Sequence, residues 1–304
     1  MSVPVRQASS GPAAGVRYRL GSQASALRAS DTGKAAGLAG AMIANNVIAL
    51  VATVVFARLL GDYGSLGALI SYLLILAVAG QAMQVATARE GVLGHLGVGH
   101  GLIATMKSWT RNMLLVTAGL TVASVLLRGP IASAVGVDRV VVDHHVHHYA
   151  WAAALGIPAG CLYLEVSVLR GALQGVGNYK GVGLSMIGEQ GVRLLTGAVL
   201  AVLFSVTGAY LASLLSFVGM SLYCWLQLRR YAEAYPEPPA EAVSRPHVSL
   251  WRHLRGALVP IAGLAVIAVL QNIDIIAAKH RFSPDVATSY AAVAVAAKVL
   301  IWVA

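Results

Sequence analysis

The sequence has few charged residues, and acidic residues are the rarest of them. Only 11% of its 304 residues are charged, with 12 Asp plus Glu against 22 Lys plus Arg, whereas 58% are hydrophobic. An ordinary soluble domain has roughly 25% charged residues. Charge this sparse cannot cover the surface of a soluble globule of this length. The composition therefore excludes a soluble protein and predicts that lipid covers much of the chain.

Cysteine and the signatures of catalysis are also scarce. Cys161 and Cys224 are the two cysteines, and each lies in an apolar run, which excludes an extracellular disulfide framework. The hydroxyl residues have no adjacent histidine base, so nucleophilic catalysis has no support. The glycines at 97, 99 and 101 follow no strand and so form no dinucleotide fingerprint. We expect a protein that is not an enzyme and has no cofactor.

Long apolar runs dominate what is present. Eight stretches are about 20 residues long, the length of helix that crosses a hydrocarbon core about 30 Å thick. The runs are continuous rather than alternating, which favours helices over barrel strands. We therefore predict an all-α polytopic membrane protein with about eight transmembrane helices, over residues 36–57, 65–87, 112–129, 149–168, 184–204, 207–226, 257–278 and 286–304.

Lys and Arg are distributed unevenly between alternate connecting segments. Segments on the amino-terminal side of the membrane hold 15 of them, the opposite side holds 5, and Arg193 and Lys298 fall within spans. Because cytoplasmic loops collect cations, this predicts a multi-pass protein of the bacterial plasma membrane with a cytoplasmic amino terminus. Its excess positive charge would face anionic membrane lipids. No basic-aromatic stripe is present, so a nucleic-acid partner is not expected.

Polar segments divide the chain into four parts. Residues 1–34 are basic and lack an apolar core, which predicts a disordered cytoplasmic tail rather than a signal peptide. Residues 35–226 hold six spans and form a first lobe. Residues 227–256 are rich in proline and mixed in charge, as in a cytoplasmic linker. Residues 257–304 hold two further spans, the start of a second lobe.

The two spans after the linker repeat a pattern of the first two. Residues 57–64 (ARLLGDYG) and 278–285 (AKHRFSPD) each end an apolar helix with Ala and a cation, and each continues through a short turn containing Asp. In the predicted orientation this is a parallel repeat. Similarity of composition between short apolar helices is the alternative explanation.

Three segments together resemble the polysaccharide-export branch of the multidrug/oligosaccharidyl-lipid/polysaccharide (MOP) flippase superfamily. Residues 57–67 are similar to its turn between helices one and two, 169–175 to its cytoplasmic turn after helix four, and 272–292 to its helix-seven hairpin. The resemblance implies a MATE/flippase-like fold that translocates a lipid-linked oligosaccharide or polysaccharide precursor by alternating access. The family has two complete lobes, so we expect this chain to be a truncated or partial version.

Charged residues inside spans are costly unless they are paired or hydrated, so each is a candidate for function. Arg193 and Lys298 lie at similar estimated depths near the midplane. We expect them to hold an anionic lipid-linked pyrophosphate in a central cavity. Glu189, four residues before Arg193, is expected to pair with it on one helix face. The alternative is that Glu189 and Arg193 are structural and that Lys298 extends toward the interface.

Four further polar residues lie within spans. Glu165 and Asp274 lie near span edges and could bind a coupling proton or cation. The simpler interpretation is that both carboxylates are hydrated. The estimated depths of Asp274 and Lys298 differ by about 11 Å, so we do not expect them to pair. Asn45 and Asn46 could line the cavity, although contact with a neighbouring helix is favoured.

Two other patterns do not indicate a functional site. A histidine cluster could bind Zn or Cu, but a loop leaves its geometry unspecified, so we expect no metal site; it comprises His144, His145, His147 and His148. Glycine pairs spaced four apart permit close helix packing, and they are Gly33 with Gly37 and Gly171 with Gly175.

A lipid-linked saccharide flippase is the favoured function. One alternative is a cation-coupled drug or metabolite exporter of the same superfamily. Another is a non-transporting membrane subunit or truncated remnant in glycan synthesis. The expected partners are a lipid-linked saccharide, anionic membrane lipids and glycan-synthesis membrane enzymes.

Overall fold

The computed structural model describes residues 31–138, 140–142, 145–235 and 249–303. Apart from one short hairpin, its elements are helices, which confirms the all-α class. The helices are α1 Asp31–Leu59, α2 Tyr63–Val92, α3 Gly99–Leu126, α4 Arg128–Val135, α5 Ala150–Ala154, α6 Gly156–Gly175, α7 Tyr179–Ala234, α8 Leu250–Arg281 and α9 Pro284–Val303. Strands β1 (Val140–Val142) and β2 (His145–His147) pair in antiparallel fashion.

Five helical segments are long and apolar enough to cross a membrane: α1 from Thr32, α2, α5 with α6, α7 and α8. Helices α3 and α4 provide a sixth if they form one span across their 77° bend. These segments confirm a multi-pass membrane protein. The predicted tail lies almost wholly outside the described residues. Helices α7 and α8 extend into the predicted linker, and residues 236–248 between them are not described.

Helix α7 is a hairpin of two arms. Its 56 residues would extend about 84 Å as one rod, more than twice the membrane core. The helical geometry breaks at Phe204 and Ser205, and Ser205 has a positive φ of 53°. Across this break Gly197 faces Ala212 and Gly188 faces Met220, which is the pattern of two antiparallel arms. The arms coincide with the predicted fifth and sixth spans.

Polar side chains fix three helix starts. Asp62 accepts a hydrogen bond from Ser65 N at 3.0 Å at the start of α2, and Asn178 accepts one from Gly181 N at 2.9 Å at the start of α7. Ser249 likewise caps α8. These residue types satisfy backbone N–H groups that have no partner within the helix. The turn between α1 and α2 is therefore held in a defined geometry.

Helix α2 packs closely against α6. A Cβ atom added at Gly171 would lie 2.4 Å from the Gln84 carbonyl oxygen, and one at Gly175 would lie 2.7 Å from the Gly91 Cα. The predicted packing role of Gly171 and Gly175 is thus confirmed. Gly37, by contrast, has no atom within 4 Å of such a Cβ.

The α8–α9 hairpin packs along α2. At one end Gly64 N donates to Thr288 Oγ1 at 3.1 Å. At the other end the His253 ring lies 3.1 Å from Thr87 Oγ1 and stacks on Trp109 with ring centroids 5.0 Å apart. The α8–α9 hairpin, the predicted start of a second lobe, is therefore in contact with the predicted first lobe at both ends of α2.

Candidate functional site

Arg170 of α6 is at the centre of a buried polar cluster. Its Nη2 donates to Glu189 Oε2 at 2.8 Å and to the Ser185 carbonyl oxygen at 2.9 Å, and its Nε donates to Ser185 Oγ at 2.8 Å. The side chains of Arg170 and Glu189 are 2% and 7% exposed. Both members of this ion pair are thus removed from solvent, and the planar guanidinium reaches two groups of α7 at once.

The expected pairing of Glu189 with Arg193 is wrong. Glu189 forms its ion pair with Arg170, across two helices, rather than with the residue one turn further on. The sequence placed Arg170 in a cytoplasmic loop because the fourth apolar run ends near residue 168. Helix α6 continues to Gly175, so Arg170 enters the helix interface instead.

Arg193 is left with a neutral partner. Its Nη2 donates to Gln190 Oε1 at 2.7 Å, and it forms no direct ion pair within the part of the chain that the structure describes. Glu189 interacts with it electrostatically at longer range, as do Tyr63 and Tyr210. The Tyr210 hydroxyl is buried without a hydrogen-bond partner among the described residues. Within the described ranges, Arg193 therefore brings a cation without a directly bonded counter-charge into the helix bundle, and Tyr210 brings a hydroxyl without a hydrogen-bond partner there.

Asp274 and Lys298 do form a pair, which corrects the expectation from depth. Lys298 Nζ donates to Asp274 Oδ1 at 3.2 Å, and the Tyr290 hydroxyl donates to Oδ2 at 3.2 Å. Helices α8 and α9 run in opposite directions, and side chains tilt toward the start of their own helix. The two side chains consequently converge, and the long lysine chain covers the remaining difference.

The Asp274–Lys298 pair is partly accessible. The two side chains are 34% and 25% exposed, and they line a cavity of about 320 Å³ together with Tyr290, Val293, Ala294 and Ala297. Arg193 does not line this cavity, and its hydrogen-bond partner is Gln190, whereas the partner of Lys298 is Asp274. The expectation that the two cations share one substrate site stays a prediction.

Glu165 of α6 lies in a second, larger cavity. The cavity has a volume of about 740 Å³ and includes Lys107 and Arg111 of α3 in its lining. Glu165 is 6% exposed and has no hydrogen-bond or ion-pair partner within the described ranges. It is thus a carboxylate without a bonded partner there, in a cavity that it shares with two cations.

The remaining candidates have local contacts. Asn45 Nδ2 donates to Asn46 Oδ1 at 3.4 Å, and both side chains are half-buried on α1. The His148 ring lies 2.6 Å from the Asp138 carbonyl oxygen. Among the described residues, no group of three His, Cys, Asp or Glu side chains could hold a metal ion. His144 lies outside those residues.

The sequence patterns missed three charged or polar residues of the helix interfaces. The sequence pattern places Lys279 in the turn after the seventh span, but its side chain is 5% exposed and forms an ion pair with Asp62. Arg170 was assigned to a cytoplasmic loop. Tyr210 has no local signal, because one tyrosine in an apolar run does not indicate whether its hydroxyl finds a partner.

The chain is similar to a MOP superfamily transporter. That solved structure, from Pyrococcus furiosus, is 16% identical, with a TM-score of 0.49, over 83% of this chain and 55% of that chain. This chain thus spans about half the length of the transporter. No sequence profile of a known family matches the chain, and no curated protein matches it.

Proposed function

We propose that this chain translocates a lipid-linked oligosaccharide or polysaccharide precursor across the bacterial plasma membrane by alternating access. The observation that supports the proposal best is the state of Arg193. This cation lies in a predicted transmembrane span, its direct partner is the neutral Gln190 amide, and the neighbouring carboxylate of Glu189 is bound to Arg170. An anionic ligand would complete its set of interactions.

The chemistry of a lipid-linked pyrophosphate fits this arrangement. A charged side chain without a counter-charge costs several kcal/mol inside a membrane. A phosphate oxygen supplies that counter-charge, and the guanidinium binds it through charge-assisted hydrogen bonds. The free hydroxyl of Tyr210 would form a hydrogen bond with a polar group beside the phosphate. The pyrophosphate is therefore proposed as the part of the substrate that Arg193 holds.

The other predicted site residues have secondary roles in this proposal. Glu189 would hold Arg170 in place and add a negative charge near Arg193. The side-chain amides of Asn45 and Asn46 on α1 would form hydrogen bonds with sugar hydroxyls. Lys298 would reach the substrate only after separating from Asp274. We assign the amino terminus to the cytoplasm, where the basic segments would meet anionic lipids and glycan-synthesis membrane enzymes.

Translocation can be measured with the chain in liposomes. A lipid-linked saccharide carrying a fluorescent sugar is placed in both leaflets, and a membrane-impermeant reductant destroys the outer fluorescence. We expect the protected inner fraction to be lost faster than in protein-free liposomes. A fluorescent phosphatidylcholine is the control for general scrambling. Equal rates with and without the chain, or equal acceleration of both lipids, would refute the proposal.

The second candidate, a cation-coupled exporter of drugs or metabolites, is favoured by Glu165. A buried carboxylate without a partner among the described residues is a group that a proton or sodium ion could neutralise. This candidate requires an imposed ion gradient to drive substrate movement. The gradient effect should disappear in Glu165→Gln if Glu165 is the coupling group, and in Asp274→Asn if Asp274 is.

A further inference from the structure

The larger cavity is an open cleft between α3, α6 and the second arm of α7. Lys107 and Arg111 lie four residues apart on α3, Glu165 comes from α6, and Trp225 and Ser221 come from α7. Both cations are exposed and have no ion-pair partner within the described ranges. The Ser221 hydroxyl is buried and also has no hydrogen-bond partner there. Polar groups from three helices, none of them paired with another side chain in the described ranges, thus line one space.

These polar groups lie near the same end of the bundle, close to the predicted cytoplasmic membrane edge. At 1.5 Å per residue, Lys107 is about 12 Å from the start of α3, Glu165 about 15 Å from the end of α6 and Trp225 about 14 Å from the end of α7. The predicted spans place the cytoplasmic membrane edge at residues 112, 168 and 226 of the same helices. Trp225 also suits this level, because tryptophan prefers the headgroup region.

The lining of the cleft becomes apolar toward the membrane midplane. Leu114, Leu115 and Leu222 line the part beyond Arg111, and their side chains are 45%, 66% and 59% exposed. A ligand in this cleft would meet two cations at one end and an open leucine surface at the other. This polarity matches a phospholipid of the cytoplasmic leaflet, with a phosphate at the headgroup level and acyl chains below it.

We propose that this cleft binds one anionic phospholipid whose headgroup carries hydroxyls, as phosphatidylglycerol does. Its phosphodiester lies between Lys107 and Arg111, and an acyl chain lies along Leu114 and Leu222. The headgroup hydroxyls donate to the Glu165 carboxylate. Two cations and one carboxylate leave one positive charge, which a single phosphodiester balances.

The charge balance distinguishes this lipid from others. Phosphatidylethanolamine has no net charge and would leave the extra cation of the cleft unbalanced. Phosphatidylcholine has no headgroup hydrogen-bond donor for Glu165. The site also differs from the proposed substrate site, because Arg193 does not line this cavity. Lipid binding here does not depend on the proposed transport function.

Native mass spectrometry of the chain released from nanodiscs tests the proposal. The nanodiscs contain equal amounts of phosphatidylglycerol, phosphatidylethanolamine and phosphatidylcholine. We expect one retained phosphatidylglycerol, favoured about tenfold over either other lipid, a ratio that corresponds to about 1.4 kcal/mol. The variant K107A/R111A should lose this preference. The matched control R229A/R230A removes two exposed cations outside the cleft lining and should retain it.

Glu165→Gln provides an independent readout of the headgroup contact. We expect this variant to keep a bound anionic lipid but to lose the preference for phosphatidylglycerol over phosphatidic acid, which lacks headgroup hydroxyls. The proposal is overturned if K107A/R111A and the R229A/R230A control retain the same lipid. Equal retention of all three lipids by the unmodified chain also overturns it, as does replacement of phosphatidylglycerol by one equivalent of lipid-linked saccharide.

Discussion

Lys279 Nζ lies 2.8 Å from Asp62 Oδ1, and this ion pair joins the last turn of α8 to the turn before α2. The two side chains are 5% and 2% exposed. They belong to the two segments, 57–64 and 278–285, that the sequence pattern relates as a repeat. The repeated turns are thus in direct contact, and the pair holds the second hairpin against the first at the predicted outer side.

Breaking this pair should destabilise the fold. Lys279→Met leaves the Asp62 carboxylate buried without its cation, and such a loss costs about 3–5 kcal/mol. Asp62→Asn keeps an oxygen that can cap α2 but leaves Lys279 unpaired. Each variant should lower the midpoint of thermal unfolding in detergent. The double variant should be less destabilised than the sum of the two, with a coupling of about 0.5–3 kcal/mol.

Arg58 provides the control for that pair. It occupies the position in the first repeat that Lys279 occupies in the second, but it is exposed. Arg58→Met should change the unfolding free energy by no more than about 0.5 kcal/mol. Additive effects of Asp62→Asn and Lys279→Met would show that the contact between the repeats contributes nothing as a pair.

Arg170 should not tolerate replacement by lysine. Its Nε and Nη2 together reach Ser185 and Glu189, whereas an ammonium group is a single point of charge on a flexible chain. Arg170→Lys keeps the charge but should still destabilise the protein by about 1–3 kcal/mol, because a buried acceptor loses its donor. Unfolding in detergent measures the effect, with Lys180→Arg as a conservative control. Equal stability of Arg170→Lys and the unmodified protein would show that the charge alone is sufficient.

Gly171 should be sensitive to a single methyl group. The added Cβ would approach the Gln84 carbonyl oxygen to 2.4 Å, so α2 and α6 would have to separate. Overpacking of this kind costs about 1–3 kcal/mol. Gly119→Ala is the matched control, because nothing lies within 4 Å of a Cβ there. Gly171→Ala should therefore lower the unfolding midpoint while Gly119→Ala leaves it unchanged or raises it.

The Asp274–Lys298 pair should contribute less to stability than the Asp62–Lys279 pair. Its side chains are 34% and 25% exposed, and ion pairs that water reaches contribute about 0–1 kcal/mol. The free energy of unfolding of Asp274→Asn should therefore differ from that of the unmodified chain by no more than about 1 kcal/mol. A loss of stability as large as that caused by Asp62→Asn would mean that the pair is buried in the membrane-embedded protein.

The elements themselves could be predicted from sequence, whereas several contacts could not. Apolar runs identified every major helix, because a span of about 20 apolar residues is a strong local signal. The runs placed Arg170 and Lys279 in loops, since a buried ion pair interrupts hydrophobicity in the same way as a loop does. The pairing of Asp274 with Lys298 depended on side-chain direction, which an estimate of depth along the helix omits. The free hydroxyl of Tyr210 depended on tertiary packing alone.

The translocation rate of the lipid-linked saccharide in liposomes, compared between Arg193 variants, tests the central proposal most directly. Arg193→Gln removes the charge and should lower the rate by about tenfold, equivalent to an increase of about 1.4 kcal/mol in the activation free energy. Arg193→Lys should keep an intermediate rate, and Arg58→Gln should match the unmodified chain. Normal insertion and unfolding midpoints for all variants exclude a folding defect. An undiminished rate in Arg193→Gln would contradict the assignment of Arg193 to the substrate.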